Sequence, residues 1–281
     1  MKVLVTGSNG FIGRFVCESL EERDIDYVKG TRDNFDLLDV ECMRETLTLN
    51  QVTHVIHLAA FADSSDTEKV FDSNISGLYR MLLAIKETGV KKLIFASGNN
   101  VYGEGYAHNI KETDIAEPAL ANIYGLSKYV GELLIEDMLK NTTITYSIMR
   151  ISDVYGPGQR FGNLIKALVK SIAEKEPIKL YGEGKRTRDY IYVKDVADGL
   201  IFACQNDIDG VFNLSTGIGT SVKGLVDIGV DLSGGECAVT PIVVEGEDDS
   251  KIVLDPGKLN RCGYKAQIDL KEGLRRCAAI R

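Results

Sequence analysis

Tyr124 and Lys128 stand four residues apart in Tyr124-Gly125-Leu126-Ser127-Lys128, a spacing that puts phenol and ammonium on one face of a helix. A free phenol ionises near pH 10. An ammonium beside it stabilises the phenolate and lowers that value, so the pair can take and return a proton near neutral pH. The lysine can also hydrogen-bond the ribose of a nicotinamide nucleotide. Alone, such a pair is usually a solvated helix face. The second feature gives it weight: the apolar run MKVLVT leads directly into Gly7-Ser8-Asn9-Gly10-Phe11-Ile12-Gly13 and then into a helical pattern. Gly7 permits a tight turn, Gly10 lets backbone approach a pyrophosphate, and Gly13 allows close packing of helix on strand. The helix N-terminus offers free N–H groups and a positive dipole end to phosphates. A glycine turn without a ligand is the alternative, and the strand–turn–helix context at the start of a β/α chain favours the dinucleotide.

NAD and NADP both remain open. An acid at the end of the second strand would bind the ribose hydroxyls of NAD. Here the stretch reads Asp26-Tyr27-Val28-Lys29-Gly30-Thr31-Arg32. Lys29, Arg32 and Arg14 could meet a 2′-phosphate, or be ordinary solvated charges. Asp36 and Leu37 could contact the adenine edge.

The elements that must hold these residues follow from periodicity. Strands are expected at residues 2–6, 26–29, 52–59, 91–97 and 144–150, with helices after Gly13, at 40–49, from about 67 to 87 and at 122–140. Strands alternating with helices imply a doubly wound parallel α/β sheet of the Rossmann type. After Gly156-Pro157-Gly158 the character changes. A helix at 163–175, a strand at 178–181 and a late core strand at 211–214 suggest a smaller substrate-binding lobe over about 159–281, with 1–158 and about 189–216 forming the dinucleotide-binding domain.

The 281 residues, 44% of them hydrophobic, suit a globular protein, and the net charge of −8 argues against nucleic-acid binding. No apolar run is long enough to span a membrane. Six cysteines without C-x-x-C spacing read as reduced thiols of a cytoplasmic protein. His54, His57 and His108 form no metal-ligand spacing, so no metal is expected.

The motifs TGSNGFIG, His57-Leu58-Ala59-Ala60, Val101-Tyr102-Gly103, Tyr124-x-x-x-Lys128, Val154-Tyr155-Gly156-Pro157-Gly158 and Thr187-Arg188-Asp189-Tyr190-Ile191-Tyr192 occur in this order along the chain. Together they resemble the extended short-chain dehydrogenase/reductases, in particular the NAD-dependent epimerase/dehydratase family acting on nucleotide sugars. The resemblance implies Tyr124 as acid/base, with Lys128 tuning it and holding the ribose. Phe11, Ile12, Leu58, Ala59 and Ala60 would lie along the cofactor, Arg188 would meet the nucleotide, and Asn163 would sit by the substrate loop. It also implies a homodimer through helices that include the one bearing Tyr124.

Departures from the pattern shape the functional expectation. The family's catalytic Ser or Thr falls on Gly98; Ser97 is one residue earlier, on the opposite face by strand alternation. The dehydratases' acid pair falls on Asn99 and Asn100, whose amides donate hydrogen bonds but transfer no protons, which disfavours dehydration. Either amide could polarise the substrate oxygen in place of the missing hydroxyl. Ser97 and Asn99 thus join Tyr124 and Lys128 as catalytic candidates, and Asn100, Asp153, Asn163 and Arg188 are substrate-binding candidates. Asp153 stands where Asn is common, Ile151 where Pro is common, and Glu245 near the position of an arginine for the second phosphate; the segment 61–73 is short. The expected activity is redox chemistry at C4 of a nucleotide sugar by an NAD(P)-dependent epimerase. The alternatives are an NADPH-dependent 4-keto-sugar reductase and a non-catalytic dinucleotide sensor.

Overall fold

Six short runs rich in β-branched and apolar residues pair side by side: Val3–Thr6 (β1), Tyr27–Gly30 (β2), His54–His57 (β3), Lys92–Gly98 (β4), Thr145–Ile151 (β5) and Gly210–Leu214 (β9). Every pairing is parallel and the order is β2-β1-β3-β4-β5-β9. The direction of winding reverses between β1 and β3, which opens a crevice at their carboxyl ends, the usual ligand position in such sheets. The computed structural model describes residues 1–103, 108–114, 122–159 and 163–279.

Alternation along the strands sends side chains to two cores. Val3, Val5, Ile94 and Ala96 pack with Val16 and Leu20 of α1 (Phe11–Glu22) and with Val196, Leu200 and Ile201 of α7 (Val193–Gln205). Leu4, Val55, Leu93 and Phe95 face the other way, against α2 (Val40–Leu49), α4 (Gly77–Lys86) and α5 (Ile123–Leu139). The helix expected over about 67 to 87 is wound in three parts: α3 (Thr67–Val70), a π-helical turn at Phe71–Ser76, and α4. The π turn brings Asn74 inward, where it binds across to the loop after β3.

The second lobe grows from a direct step. After Ile151 the chain passes through Ser152 alone into β6 (Asp153–Tyr155), which pairs with the second half of β8 (Thr187–Tyr192). The first half of β8 pairs with β10 (Gly219–Ser221) and β12 (Lys251–Ile252). A parallel pair, β7 (Ile178–Tyr181) and β11 (Val239–Ile242), lies alongside α6 (Asn163–Glu174), α8 (Val222–Leu232) and α10 (Leu270–Ala279), while α9 (Gly257–Arg261) packs on β9. The chain leaves this lobe after β8 to supply α7 and β9 to the first sheet, then returns. Buried Asp189 fastens the return: its carboxylate accepts from Thr216 N at 3.1 Å, Thr216 Oγ1 at 2.6 Å and Gly217 N at 2.9 Å. No helix among the described residues is long and apolar enough to cross a membrane.

Candidate active site

The glycine loop is built on contacts that tolerate no side chain. Gly7 has φ +66°, and a Cβ there would lie 2.8 Å from Ala59 N, so this glycine lets the β1 and β3 loops touch. A Cβ on Gly13 would stand 2.2 Å from Gly7 O. Thr6 Oγ1 accepts from Leu58 N and Ala59 N, both at 3.2 Å, which leaves its own proton for His57 Nδ1 at 2.8 Å and puts the histidine proton on Nε2. Burial pushes His57 down to about 3, so it is neutral.

Whether a dinucleotide fits is decided at the start of α1. Helices α2, α3, α5 and α8 are capped by Asp39, Asp66, Asn122 and Ser221, whereas α1 begins at Gly10 with no side-chain cap. The N–H groups of its first turn, at Phe11, Ile12 and Gly13, therefore point out at the carboxyl edge of β1, a donor set suited to a pyrophosphate. Ala59 and Ala60 continue the floor beside it. Asp36 accepts from Leu38 N at 3.0 Å and Leu37 packs over Gly77. The three basic residues grouped from the sequence do not converge. Lys29 Nζ lies over the Tyr27 ring, 5.9 Å from its centroid, and Arg32 is exposed in the loop after β2. Arg14 is turned toward the second lobe, with Nη2 against Gly158; a residue in the first turn of α1 can reach the Gly156–Gly158 turn, and strand order alone did not show this.

Tyr124 and Lys128 lie on one face of α5, the ammonium 5.6 Å from the centroid of the phenol ring and 5.0 Å from that of Phe95. Lys128 Nζ donates to Ala96 O at 2.8 Å. Its other two N–H groups and the Tyr124 hydroxyl have no partner among the described residues. Tyr124 is half-buried. The expected lowering of the phenol is corrected here: desolvation pushes Tyr124 up to about 12, and burial, partly offset by Glu132, brings Lys128 down to about 8. Removing both groups from water outweighs the attraction of an ammonium seated over the ring rather than at the oxygen.

Ser97 is not brought to Tyr124 and Lys128. Its hydroxyl donates to Glu132 Oε1 at 2.5 Å, within a buried cluster in which Arg150 grips the same carboxylate through Nε at 3.1 Å and Nη2 at 2.6 Å. The Arg150 guanidinium also lies 4.7 Å from the Tyr102 ring centroid. Asn99, Asp153 and Arg188 do come together: Asn99 Nδ2 donates to Asp153 Oδ1 at 3.0 Å, and Arg188 Nε stands 3.9 Å from Asp153 Oδ2. Arg188 does not pair with Asp189, whose carboxylate holds the 216–217 turn. Burial raises the Asp153 carboxyl, opposed by Asn99, Arg188 and Arg186. Asn100 follows Asn99 in a short 3-10 turn at Asn99–Val101. Asn163 opens α6, and its side chain lies outside the described residues.

Sequence reading missed several residues. Arg186 continues the alternation of Arg188 and Tyr190 onto the face toward Asp153, and its buried Nε has no hydrogen-bond partner among the described residues. Asn74 donates to Ser127 Oγ at 2.9 Å, and Ser127 donates to Tyr124 O at 2.7 Å, which fixes the first turn of α5 against the loop after β3. The signals were present: two arginines at i,i+2 beside a strand, and Tyr124, Lys128 and Glu132 at i,i+4,i+8.

With this geometry in view, comparison with known proteins is informative. The sequence profile of the NAD dependent epimerase/dehydratase family matches residues 3–215. A protein of Methanocaldococcus jannaschii, provisionally named a UDP-glucose 4-epimerase, is 34% identical over 98% of this chain and 96% of its own length. Among solved structures, the UDP-glucose 4-epimerase of Thermotoga maritima with UDP-glucose superposes with a TM-score of 0.87 at 29% identity, covering 99% of this chain and 97% of its own. The UDP-glucose 4-epimerase of Thermus thermophilus in complex with NAD gives 0.84 at 28% identity, covering 99% and 98%.

Proposed function

The chain belongs to the NAD dependent epimerase/dehydratase family, and from that premise we propose that it inverts C4 of a nucleoside-diphosphate sugar using a retained NAD. The observation that carries this reading is the set of proton-handling groups at this site. A phenol with an uncommitted hydroxyl stands over an ammonium, while positions 99 and 100 carry amides that cannot assist elimination.

A dinucleotide held by its pyrophosphate at the α1 N-terminus would supply a hydride acceptor, and the positive charge of its oxidised nicotinamide would favour phenolate against the desolvation that holds Tyr124 up at about 12. Tyr124 would take the proton of the C4 hydroxyl as the C4 hydrogen departs as hydride and, once the ketone has turned its other face, would give the proton back to the oxygen as that hydride returns to C4. Lys128, with two N–H groups to give, orients the nicotinamide ribose and supports the phenolate. Arg186 and Arg188, on one face at β8, suit the diphosphate, and Asp153 suits a sugar hydroxyl. The six free cysteines fit a reducing compartment such as the cytoplasm.

The test needs no added cofactor. Purified protein is expected to release NAD on denaturation and to convert UDP-glucose catalytically into its C4 epimer, followed by proton NMR. The absence of an acid at the end of β2, where Gly30-Thr31-Arg32 stand, favours the alternative of a 4-keto-sugar reductase. Protein that retains no dinucleotide, and consumes NADPH one-for-one with a 4-keto sugar, would replace the epimerase reading with that one.

We further propose a symmetric homodimer formed by α4 and α5. Tyr79 is 46% exposed, Leu126 39% and Leu133 48%, and Leu126 and Leu133 are seven residues apart on one face of α5. A second copy of the same surface would cover these side chains. Light scattering is expected to give twice the mass of 30.8 kDa, and a Leu126→Glu/Leu133→Glu variant to give the single mass. A wild-type monomer at assay concentration would sink the dimer.

A further inference from the structure

At the carboxyl end of β4 an asparagine side chain stands close against a glycine. Gly98 is extended, with φ −147° and ψ 170°, so its backbone admits any residue. A Cβ there would meet Asn100 Oδ1 at 3.2 Å, and the next atom is Ile151 O at 3.9 Å. The Asn100 carboxamide is therefore the one side chain that a residue larger than glycine at 98 would crowd, by a few tenths of an ångström. Its oxygen is the side-chain atom nearest that position. No described residue hydrogen-bonds that amide, and Asn100 is half-exposed.

Its neighbours are all committed elsewhere. The Ser97 hydroxyl is on Glu132, and the Asn99 amide is on Asp153. The turn carrying Asn100 is stiff: Val101 and Tyr102 are fully buried, Tyr102 N bonds Asn99 O at 3.1 Å, and Tyr102 Oη donates to Asn213 Oδ1 at 2.8 Å. Helix α5, which begins at Tyr124's turn, packs directly on it.

We propose that the Asn100 side-chain amide is a catalytic hydrogen-bond donor to the substrate oxygen that Tyr124 deprotonates, and that Gly98 is glycine to make room for it. As Tyr124 removes the proton, negative charge gathers on that oxygen before the C–O double bond is complete. A fixed N–H aimed at the oxygen stabilises this charge, and an amide does so without competing for the proton. The inference rests on the epimerase reading.

The experiment follows reduction of the retained cofactor in a single turnover with UDP-glucose, for wild type, Asn100→Ala, Gly98→Ser and the double variant, beside nucleotide-sugar affinity and melting temperature. Asn100→Ala is expected to slow reduction about 100-fold with affinity and melting temperature nearly unchanged. Gly98→Ser alone, crowding Asn100, is also slow. The double variant, in which a serine hydroxyl enters the vacated volume, regains at least about tenfold over Asn100→Ala, a recovery in line with one donor's worth. Asn100→Ala reducing its cofactor at the wild-type rate overturns the assignment. A wild type that leaves its NAD oxidised with UDP-glucose and with other nucleotide sugars overturns the epimerase reading itself, and this inference with it.

Discussion

Tyr124→Phe is expected to lower turnover by about 10²- to 10⁴-fold, the range for loss of a positioned acid/base, while retained NAD and nucleotide-sugar affinity stay near wild type. The substitution removes one oxygen and keeps the ring. The ring's contact with the Lys128 ammonium, 5.6 Å from its centroid, survives. The hydroxyl has no hydrogen-bond partner among the described residues, so no other group is left unsatisfied, and stability is expected to change by less than about 1 kcal/mol. A drop in kcat with KM little changed would be the signature of an interaction made in the transition state. Steady-state kinetics on the purified variant decides it: activity at the wild-type level removes Tyr124 from the mechanism.

Glu132→Ala carries the largest expected effect on stability. Glu132 and Arg150 are only 3% and 7% exposed at their side chains, and the carboxylate also accepts from Ser97. Taking the carboxylate away strands a guanidinium in the interior, a loss of about 3–5 kcal/mol in comparable buried pairs. For a chain of this size that corresponds to a fall in Tm on the order of 10 °C. Lys128 is affected as well. Glu132 helps to keep that ammonium charged, so without it the lysine titrates below about 8, and activity that depends on the charge is lost at a lower pH. Replacing both partners by apolar residues of similar size should recover much of the stability, because no unpaired charge remains. Thermal unfolding of the single and double variants measures this, and a single variant melting within a degree or two of wild type would show that the pair contributes little.

What could be read from sequence divides along a physical line. Gly7 and Gly13 were legible because their requirement is local: a left-handed φ at one, a carbonyl 2.2 Å from any Cβ at the other. The parallel sheet was legible because each strand is an apolar run between amphipathic helices. Residues 40–49 form the expected helix because Asp39 caps it and its apolar face recurs at helical spacing. The direction in which Tyr124 is shifted was not legible. It depends on whether lost hydration or a nearby charge dominates, and only packing sets that balance. Nor could periodicity show that Arg14 reaches Gly158, that a π turn would carry Asn74 to Ser127, or that Glu132 would meet Arg150 across 18 positions and two elements. Each is a meeting of side chains from separate elements, fixed by tertiary geometry.

The path of the chain between its two sheets bears on how such a protein can change. Because α7 and β9 return to the first sheet after β8 has been laid down in the second, no single cut separates one lobe from the other. A chain severed after Gly158 would leave β5 as an open edge and strip the α1 face of the cover provided by Val196, Leu200 and Ile201. On the proposed function, the substrate-binding lobe could not be exchanged as a cassette, and substrate choice would change by point replacement on surfaces such as the Asn99–Asn100 turn and the Arg186–Arg188 face.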